Sequence, residues 1–507
     1  MSTLPHAPPS LHRSGSADAA RITNVLIGTP NPLADPRFNQ FSQKRRAHYD
    51  RIAAEANAAP SWSDAYHQRI AEVYRFLVTP GQRVLELGCG EGDLLAALKP
   101  TVGVGVDFAG GMLTRAAQRH PHLTFIQADA HQLVFAEPFD VIILSDLVND
   151  LWDVQAVLQQ LRTVCTPQTR LIINSYSRVW EQPLRLVRKL GLADPSLDQN
   201  WLTVDDIAGL LNLAGFELIR SWPEVLWPLE TPGLAGFANK VLAKTAPLNL
   251  LALSNFIVAR PAGSVRIAAP TVSIVIAARN EAGNVPAIFA RTPDLGAETE
   301  LIFVEGHSQD ETYAAIEQAI AANPHRKCKL LRQPGNGKGD AVRAGFAAAQ
   351  GDILMILDAD LTMPPEDLPR YYEVLRSGKA EFANGVRLVY PMEHEAMRYM
   401  NFLGNKFFSL AFSYLLGQPI KDTLCGTKVL WRTDYEQIAR NRSYFGDFDP
   451  FGDFDLIFGA ARLGLKILDI PIRYRERTYG TTNISRWRHG VLLLRMTVFA
   501  AGRIKFI

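Results

Sequence analysis

From about residue 38 to 59 the chain is polar, with apolar positions at helical spacing. After it, short runs rich in β-branched residues alternate with amphipathic helical stretches. The runs are RVLELG, VGVGVD, LTFIQAD, FDVIILS and RLIINSY. This alternation predicts a parallel α/β sheet. TVDDIAGLLNLAGFELI reads as a helix feeding a further strand, and NFIVARP as the strand that closes the unit. PAGSVRIAAP, with Pro and Gly near its ends, reads as a linker. The alternation then restarts with VSIVIAA, ELIFVEG, CKLLRQ and DILMILDAD. The pattern therefore predicts two α/β domains, 38–262 and 271–507, joined by 263–270. No short repeat is present, which excludes a solenoid. Residues 1–37 begin MSTLPHAPPSLHRSGSADAA, rich in Pro, Ser, Ala and Gly without an apolar h-region. They read as a disordered tail and not as a secretory signal.

Composition adds a few exclusions. At 507 residues the chain exceeds what one core usually supports. A net charge of +2 argues against a protein that coats nucleic acid. The four cysteines, Cys89, Cys165, Cys328 and Cys425, form no C-x-x-C pair. That excludes a disulfide framework and a cysteine zinc site, and suits a reducing cytoplasm. The apolar runs FFSLAFSYLLG and VLLLRMTVFAAG fall short of the ~18–20 residues that span a bilayer, and Arg495 interrupts the second. Either suits a membrane surface. The C-terminal stretch carries Arg473, Arg475, Arg477, Arg486, Arg488, Arg495, Arg503 and Lys505 among apolar residues. It fits peripheral contact with an anionic lipid face or with a lipid phosphate, and equally a solvated basic helix packed on its domain. No nucleic-acid-binding motif accompanies it.

In the first half, the leading strand ends in ELGCGEGDLL. Gly88, Gly90 and Gly92 stand at the strand-to-helix turn, where glycine admits close ligand approach. A dinucleotide fingerprint wants glycine at position 93, which is Asp93. The nearby carboxylates Glu86, Glu91 and Asp93 suit an electropositive sulfonium better than a pyrophosphate. Asp107 ends the next strand at a spacing suited to ribose hydroxyls, and Asp129 ends the third. His131 is a possible base, though a lone His beside a strand end is more often structural. Together with FDVIILSDLVNDLWD, these motifs resemble class I S-adenosylmethionine (SAM) methyltransferases over roughly residues 45 to 260. The resemblance implies a Rossmann-like, seven-stranded sheet binding SAM. It places Glu86, Gly88 and Gly90 at the methionine end, Asp107 on the ribose and Asp129 on the adenine, with Gly92 in the same cofactor-binding loop. Ser145 and Asp146 would stand near the methyl acceptor.

In the second half, an apolar strand runs into Asp358-Ala359-Asp360. Two carboxylates two residues apart in an extended chain share a face and suit Mg²⁺ or Mn²⁺ holding a diphosphate. The surroundings resemble family 2 glycosyltransferases of the GT-A fold, especially dolichol-phosphate mannose synthase-like enzymes, over about 270 to 495. TVSIVIAARNE, LIFVEGHSQDET, GNGKGDAVRAGF, ANGVRL, DTLCGTKVLWR and GDFDLIFGAARLG carry the likeness. It implies a nucleotide-sugar donor contacted by Asn280, Glu281, Glu305 and Lys338. Asp358 and Asp360 would hold the metal diphosphate. Arg387, Asp422, Arg477 and Asn483 would lie by the diphosphate or the acceptor. Two departures stand out. Thr362 replaces a common Gln, and Gly480-Thr481-Thr482-Asn483 replaces G-x-S-K, losing a cation at Asn483.

The expected reaction is inverting attack of an acceptor oxygen on the anomeric carbon. A lipid-phosphate acceptor is already ionised, its second pKa being about 6, whereas a glycan hydroxyl needs a base. Asp455 and Asp453 are the candidates, Asp453 also being placed for helix capping. The sequence thus reads as a bifunctional methyltransferase and glycosyltransferase. The alternative is a glycosyltransferase whose first domain only binds SAM or targets the enzyme.

Overall fold

The computed structural model describes residues 22–24, 35–55, 64–190, 197–390, 399–442, 452–477, 479 and 486–507. The first sheet contains β1 (Ile22–Asn24), β2 (Arg83–Leu87), β3 (Val102–Asp107), β4 (Thr124–Gln127), β5 (Phe139–Ser145), β6 (Cys165–Tyr176), β7 (Phe216–Glu224) and β8 (Ser254–Pro261). Its order is β1-β4-β3-β2-β5-β6-β8-β7. Strands β1 to β6 pair in parallel, while β8 runs antiparallel to both β6 and β7. The near-continuous apolar runs follow from this position, since helices cover both faces of the central strands. Within the stretch expected to be a disordered tail, Ile22–Asn24 instead pairs with Phe125–Gln127. An unpaired edge strand offers a ready backbone partner. The sheet consequently has eight strands where seven were expected.

The second sheet contains β9 (Val272–Ala278), β10 (Thr299–Glu305), β11 (Lys327–Arg332), β12 (Ile353–Ile356), β13 (Phe382–Val386), β14 (Lys428–Trp431) and β15 (Ile467–Pro471). The order is β11-β10-β9-β12-β14-β13-β15, with β14 antiparallel to both neighbours. The carboxyl ends of β9, β10 and β12 lie side by side, because those strands pair in parallel and in register. Ligands in open α/β sheets bind outside such ends.

The predicted linker is not a free tether. The Arg266 side chain is buried and reaches Glu381 at 2.6 Å and Asp434 at 2.9 Å. Arg170 of β6 donates to both oxygens of Glu381 at 2.8 and 2.9 Å, and Arg260 of β8 lies 3.6 Å away. One carboxylate thus gathers three arginines from the first unit and the linker. Burial pushes the Glu381 carboxyl up, but Arg170, Arg266 and Arg260 win and hold it down at about 2.

Candidate functional site

The first candidate site lies beyond the ends of β2, β3 and β4. Gly88, Gly90 and Gly92 adopt φ of 70°, 51° and 77°, so the loop turns as only glycine does readily. A Cβ on Gly92 would strike the Phe125 ring. Asp107 accepts from Gly90 N at 3.0 Å and Ala109 N at 2.9 Å, which fixes its carboxylate at the loop. Burial raises its pKa against those backbone hydrogen bonds. Asp129 accepts from Ser42 Oγ at 3.0 Å and from His131 Nδ1 at 2.6 Å. Burial raises Asp129, yet the His131 and Ser42 hydrogen bonds outweigh it and the net shift is downward. These residues, Gly88 and Asp150 line a cleft of about 440 Å³.

His131 is committed on both nitrogens. Its Nε2 accepts from Asp153 N at 3.1 Å, so Nδ1 carries the proton given to Asp129. The structural reading of this residue therefore stands. The acidity of the glycine loop is weaker than its sequence implies. Glu91 pairs with Arg115 and Arg119, and Asp93 with Arg119 and His120. Glu86 is buried, and desolvation pushes its carboxyl up to about 8, which keeps it neutral at pH 7. It does not line the cleft; the negative charge there comes from Asp107, Asp129 and Asp150, with Arg45 facing Asp150 at 3.7 Å. Ser145 ends β5 as expected. Beside it Asp146, at φ 54°, accepts from Tyr66 at 2.8 Å and Asn174 at 2.7 Å, and burial lifts it to about 7.

Sequence reasoning missed the roof. The helix Pro36–Glu55 lays Phe38, Phe41, Ser42 and Arg45 over the cleft, and its Tyr49 donates to Asp150 at 2.6 Å. The i, i+3, i+7, i+11 spacing of Phe38, Phe41, Arg45 and Tyr49 was the available signal.

The second candidate site gathers at the ends of β9, β10 and β12. Asp358 and Asp360 sit in a turn beyond β12, not in its extension, closed by Leu361 N to Asp358 O at 3.2 Å. Each carboxylate has its own cation. Lys338 Nζ lies 2.5 Å from Asp358, and Arg477 Nη2 lies 2.6 Å from Asp360. Burial raises Asp358, but Lys338 more than compensates and its pKa falls. Thr362, the departure from the expected Gln, donates to Asp360 Oδ1 at 2.8 Å and so orients that carboxylate. Gly426 leaves the space beside Asp358 open, since a Cβ there would strike both the carboxylate and Lys338 Nζ.

Glu281 accepts from Arg477 Nη1 at 3.1 Å and Asn284 Nδ2 at 2.7 Å; burial raises it to about 7. Asn280, at φ 59°, accepts from Gln309 N at 2.8 Å, and its own N–H donates to Ser308 Oγ at 3.0 Å. Glu305 caps the same turn at Ser308 N, 2.5 Å away. Asn280 and Glu305 thus shape the loop, while Glu281 faces the carboxylate pair. Tyr479, unforeseen in the sequence, reaches Asp310 at 3.5 Å, and its ring occupies the space a side chain at Gly283 would need.

The remaining predicted residues are less available. Arg387 grips Asp422 through Nε at 2.7 Å and Nη2 at 2.9 Å, which uses the fork that would otherwise take a diphosphate. Asp455 pairs with Arg442 at 2.7 Å. Asn483 and the Asp453 side chain lie outside the described residues. No cluster of three or more metal-type ligands occurs among the described residues.

The chain matches two family models. Residues 79–207 match a methyltransferase domain, and residues 273–439 match glycosyl transferase family 2. A transferase of Pseudomonas fluorescens, named undecaprenyl-phosphate 4-deoxy-4-formamido-L-arabinose transferase, is 36% identical over 223 residues, 43% of this chain and 61% of that protein. Its namesake in Aeromonas hydrophila is 34% identical over 111 residues, 21% of this chain and 34% of that protein. The chain thus spans between a third and three-fifths of the length of these curated relatives. Among solved structures, a magnesium protoporphyrin IX methyltransferase from Synechocystis aligns with 18% identity and a TM-score of 0.32, over 45% of this chain and all of that one. The chain joins a methyltransferase domain to a glycosyl transferase family 2 domain.

Proposed function

We propose that the second site transfers a sugar, with inversion, from a nucleotide-sugar to a lipid-phosphate acceptor. The observation that carries this reading is the gathering of Glu281, Asp358 and Asp360 with Lys338 and Arg477 at adjacent strand ends. The name of the P. fluorescens relative supports a polyprenyl phosphate over a glycan. Asp358 and Asp360 offer the hard oxygen ligands that Mg²⁺ or Mn²⁺ requires, and each already faces a cation. When bound there, the metal neutralises charge on the departing diphosphate. Lys338 and Arg477 are the side chains that exchange a carboxylate for phosphate oxygens. Thr362 keeps Asp360 oriented while they do so. A phosphate acceptor needs no general base, which accords with Asp455 being held by Arg442. Incubation with nucleotide-sugars, Mn²⁺ and undecaprenyl phosphate tests the proposal. No turnover with any donor sinks it.

For the first site, the reading is SAM binding and methyl transfer to a related small molecule or glycan. It rests on Asp107 and Asp129 flanking one cleft beside the glycine loop. Direct displacement at a sulfonium depends chiefly on alignment, so the commitment of His131 elsewhere is no obstacle. SAM binding by calorimetry with no methylated product would favour the binding-only alternative.

The reading extends to a lipid face. In the helix Tyr399–Leu416 the exposed Leu403, Phe407, Leu410 and Tyr414 form one stripe. Val491, Leu494 and Val498 form another on the helix Arg486–Ala500, which packs against the first. No described helix is long and apolar enough to cross a membrane. The stripes, with Lys406 and Arg495 nearby in sequence, suit shallow insertion into an anionic leaflet. Flotation with phosphatidylglycerol vesicles tests this, and Leu410→Glu with Leu494→Glu should abolish it.

A further inference from the structure

A second cleft opens at the seam between the two units. Arg220, Trp222 and Lys244 line it from the first unit, and Leu416, Gly417 and Lys505 from the second. Arg220 projects from β7 and is 6% exposed. Its Nε and Nη2 find no hydrogen-bond acceptor among the described residues. Burying a guanidinium without acceptors is costly, and such groups are normally paired. The Trp222 ring, 5.0 Å from Cζ, offers only a cation–π contact.

The surrounding charges do not compensate it. Glu224, the buried carboxylate of this seam, serves Arg69 at 2.7 Å and Lys244 at 3.3 Å, and also accepts from Trp222 Nε1. Lys505 forms no ion pair among the described residues, its Nζ lying 4.5 Å over the Tyr414 ring. Burial first, then Lys244 and Arg220, push the Lys505 ammonium down to about 8. Three cations therefore crowd one cleft, and the carboxylate beside them is already shared.

We propose that this seam cleft is a binding site for a phosphate-class anion that bridges the two domains. Nε and Nη2 of one guanidinium form the edge that takes two oxygens of an oxyanion at once. Two lysines beside it favour a dianion over a single carboxylate. The anion supplies the acceptors that Arg220 lacks and neutralises the repulsion that Lys505 feels. Because its ligands come from both units, binding tightens the seam. The site shares no residue with either cleft described above.

The test uses the full chain in phosphate-free buffer at constant ionic strength, with inorganic phosphate or glycerol 3-phosphate as probe. Saturable stabilisation is expected, raising Tm by about 2–4 °C. A shift with both probes marks the phosphate group itself as the ligand; a shift with glycerol 3-phosphate alone assigns the site to a phosphomonoester. Arg220→Gln should abolish the shift while leaving Tm without phosphate equal to or above that of the natural chain, because an uncompensated charge is gone. Lys505→Met should weaken it, and Lys338→Met, at the distant carboxylate pair, should retain it. No shift with either probe overturns the proposal. So does a shift that survives both Arg220→Gln and Lys505→Met, or one lost only in Lys338→Met.

Discussion

The two candidate sites hold their carboxylates in opposite ways. In the first, Asp107 and Asp129 accept from backbone N–H groups, a hydroxyl and an imidazole. In the second, Asp358 and Asp360 are each held by a full positive charge, Lys338 and Arg477. Neutral donors orient a carboxylate and leave its charge to act on a ligand. A cation spends that charge until something displaces it. The first site is thus pre-arranged for an electropositive ligand. The second is latched, and a ligand reaching its carboxylates would have to exchange with Lys338 and Arg477.

The comparison can be broken most severely at the seam that both domains share. Glu381→Ala takes the carboxylate from Arg170 and leaves Arg260 and Arg266 with only Glu217 and Asp434, and should cost about 3–5 kcal/mol in denaturant unfolding. Both sites should be lost in one transition; two separated transitions would show that the domains stand alone. Asp360→Asn is next. Sugar transfer should fall by about 10²–10³-fold, with SAM binding unchanged by calorimetry. Loss of both would contradict independent sites. Asp107→Asn removes an acceptor and a charge from the first site, and should weaken SAM binding about tenfold to a hundredfold without touching sugar transfer.

A pH series sharpens the contrast. The Glu86 carboxyl is raised from 4.5 to about 8 by burial, so the folded chain binds the proton more tightly than the unfolded chain. Stability from this group is complete below pH 4.5 and declines as pH rises toward 8. Glu86→Gln should flatten that slope, with its largest stabilising effect above pH 8. An unchanged slope would mean that water reaches this carboxyl. The smallest effect is expected at Asp455. Asp455→Asn should leave transfer near the natural rate, against the about 10²–10⁴-fold loss that removing a general base brings. A loss of that size would identify a hydroxyl acceptor instead.

Much of the framework was legible. Strands such as β9 and β12 follow their apolar runs, because a strand buried on both faces leaves few other residue choices. Asp358 and Asp360 could be named because an apolar strand runs directly into them, whereas Glu281, Lys338 and Arg477 were named through the resemblance of their motifs to family 2 glycosyltransferases. Other features had no local signature. Ser42 meets Asp129 across 87 positions, and Arg170 meets Glu381 across 211. Nothing in the residues around Arg266 distinguishes a buried ionic anchor from a polar linker. The sign of the loop charge also misled, since Glu91 and Asp93 are quenched by arginines a helix away.

Anyone dividing this chain for expression would naturally cut between Ala262 and Thr271. The first fragment would then carry Arg170 without its carboxylate, and Arg260 with only Glu217 of its two carboxylates. The second would carry Glu381 with one guanidinium instead of three, on a face built to be covered. Neither fragment is a fair stand-in for its half of the whole, and activity measured on either reports on a damaged surface as well as on a missing partner. The charge cluster at Glu381 is complete only where the two units and the segment between them are present in one chain.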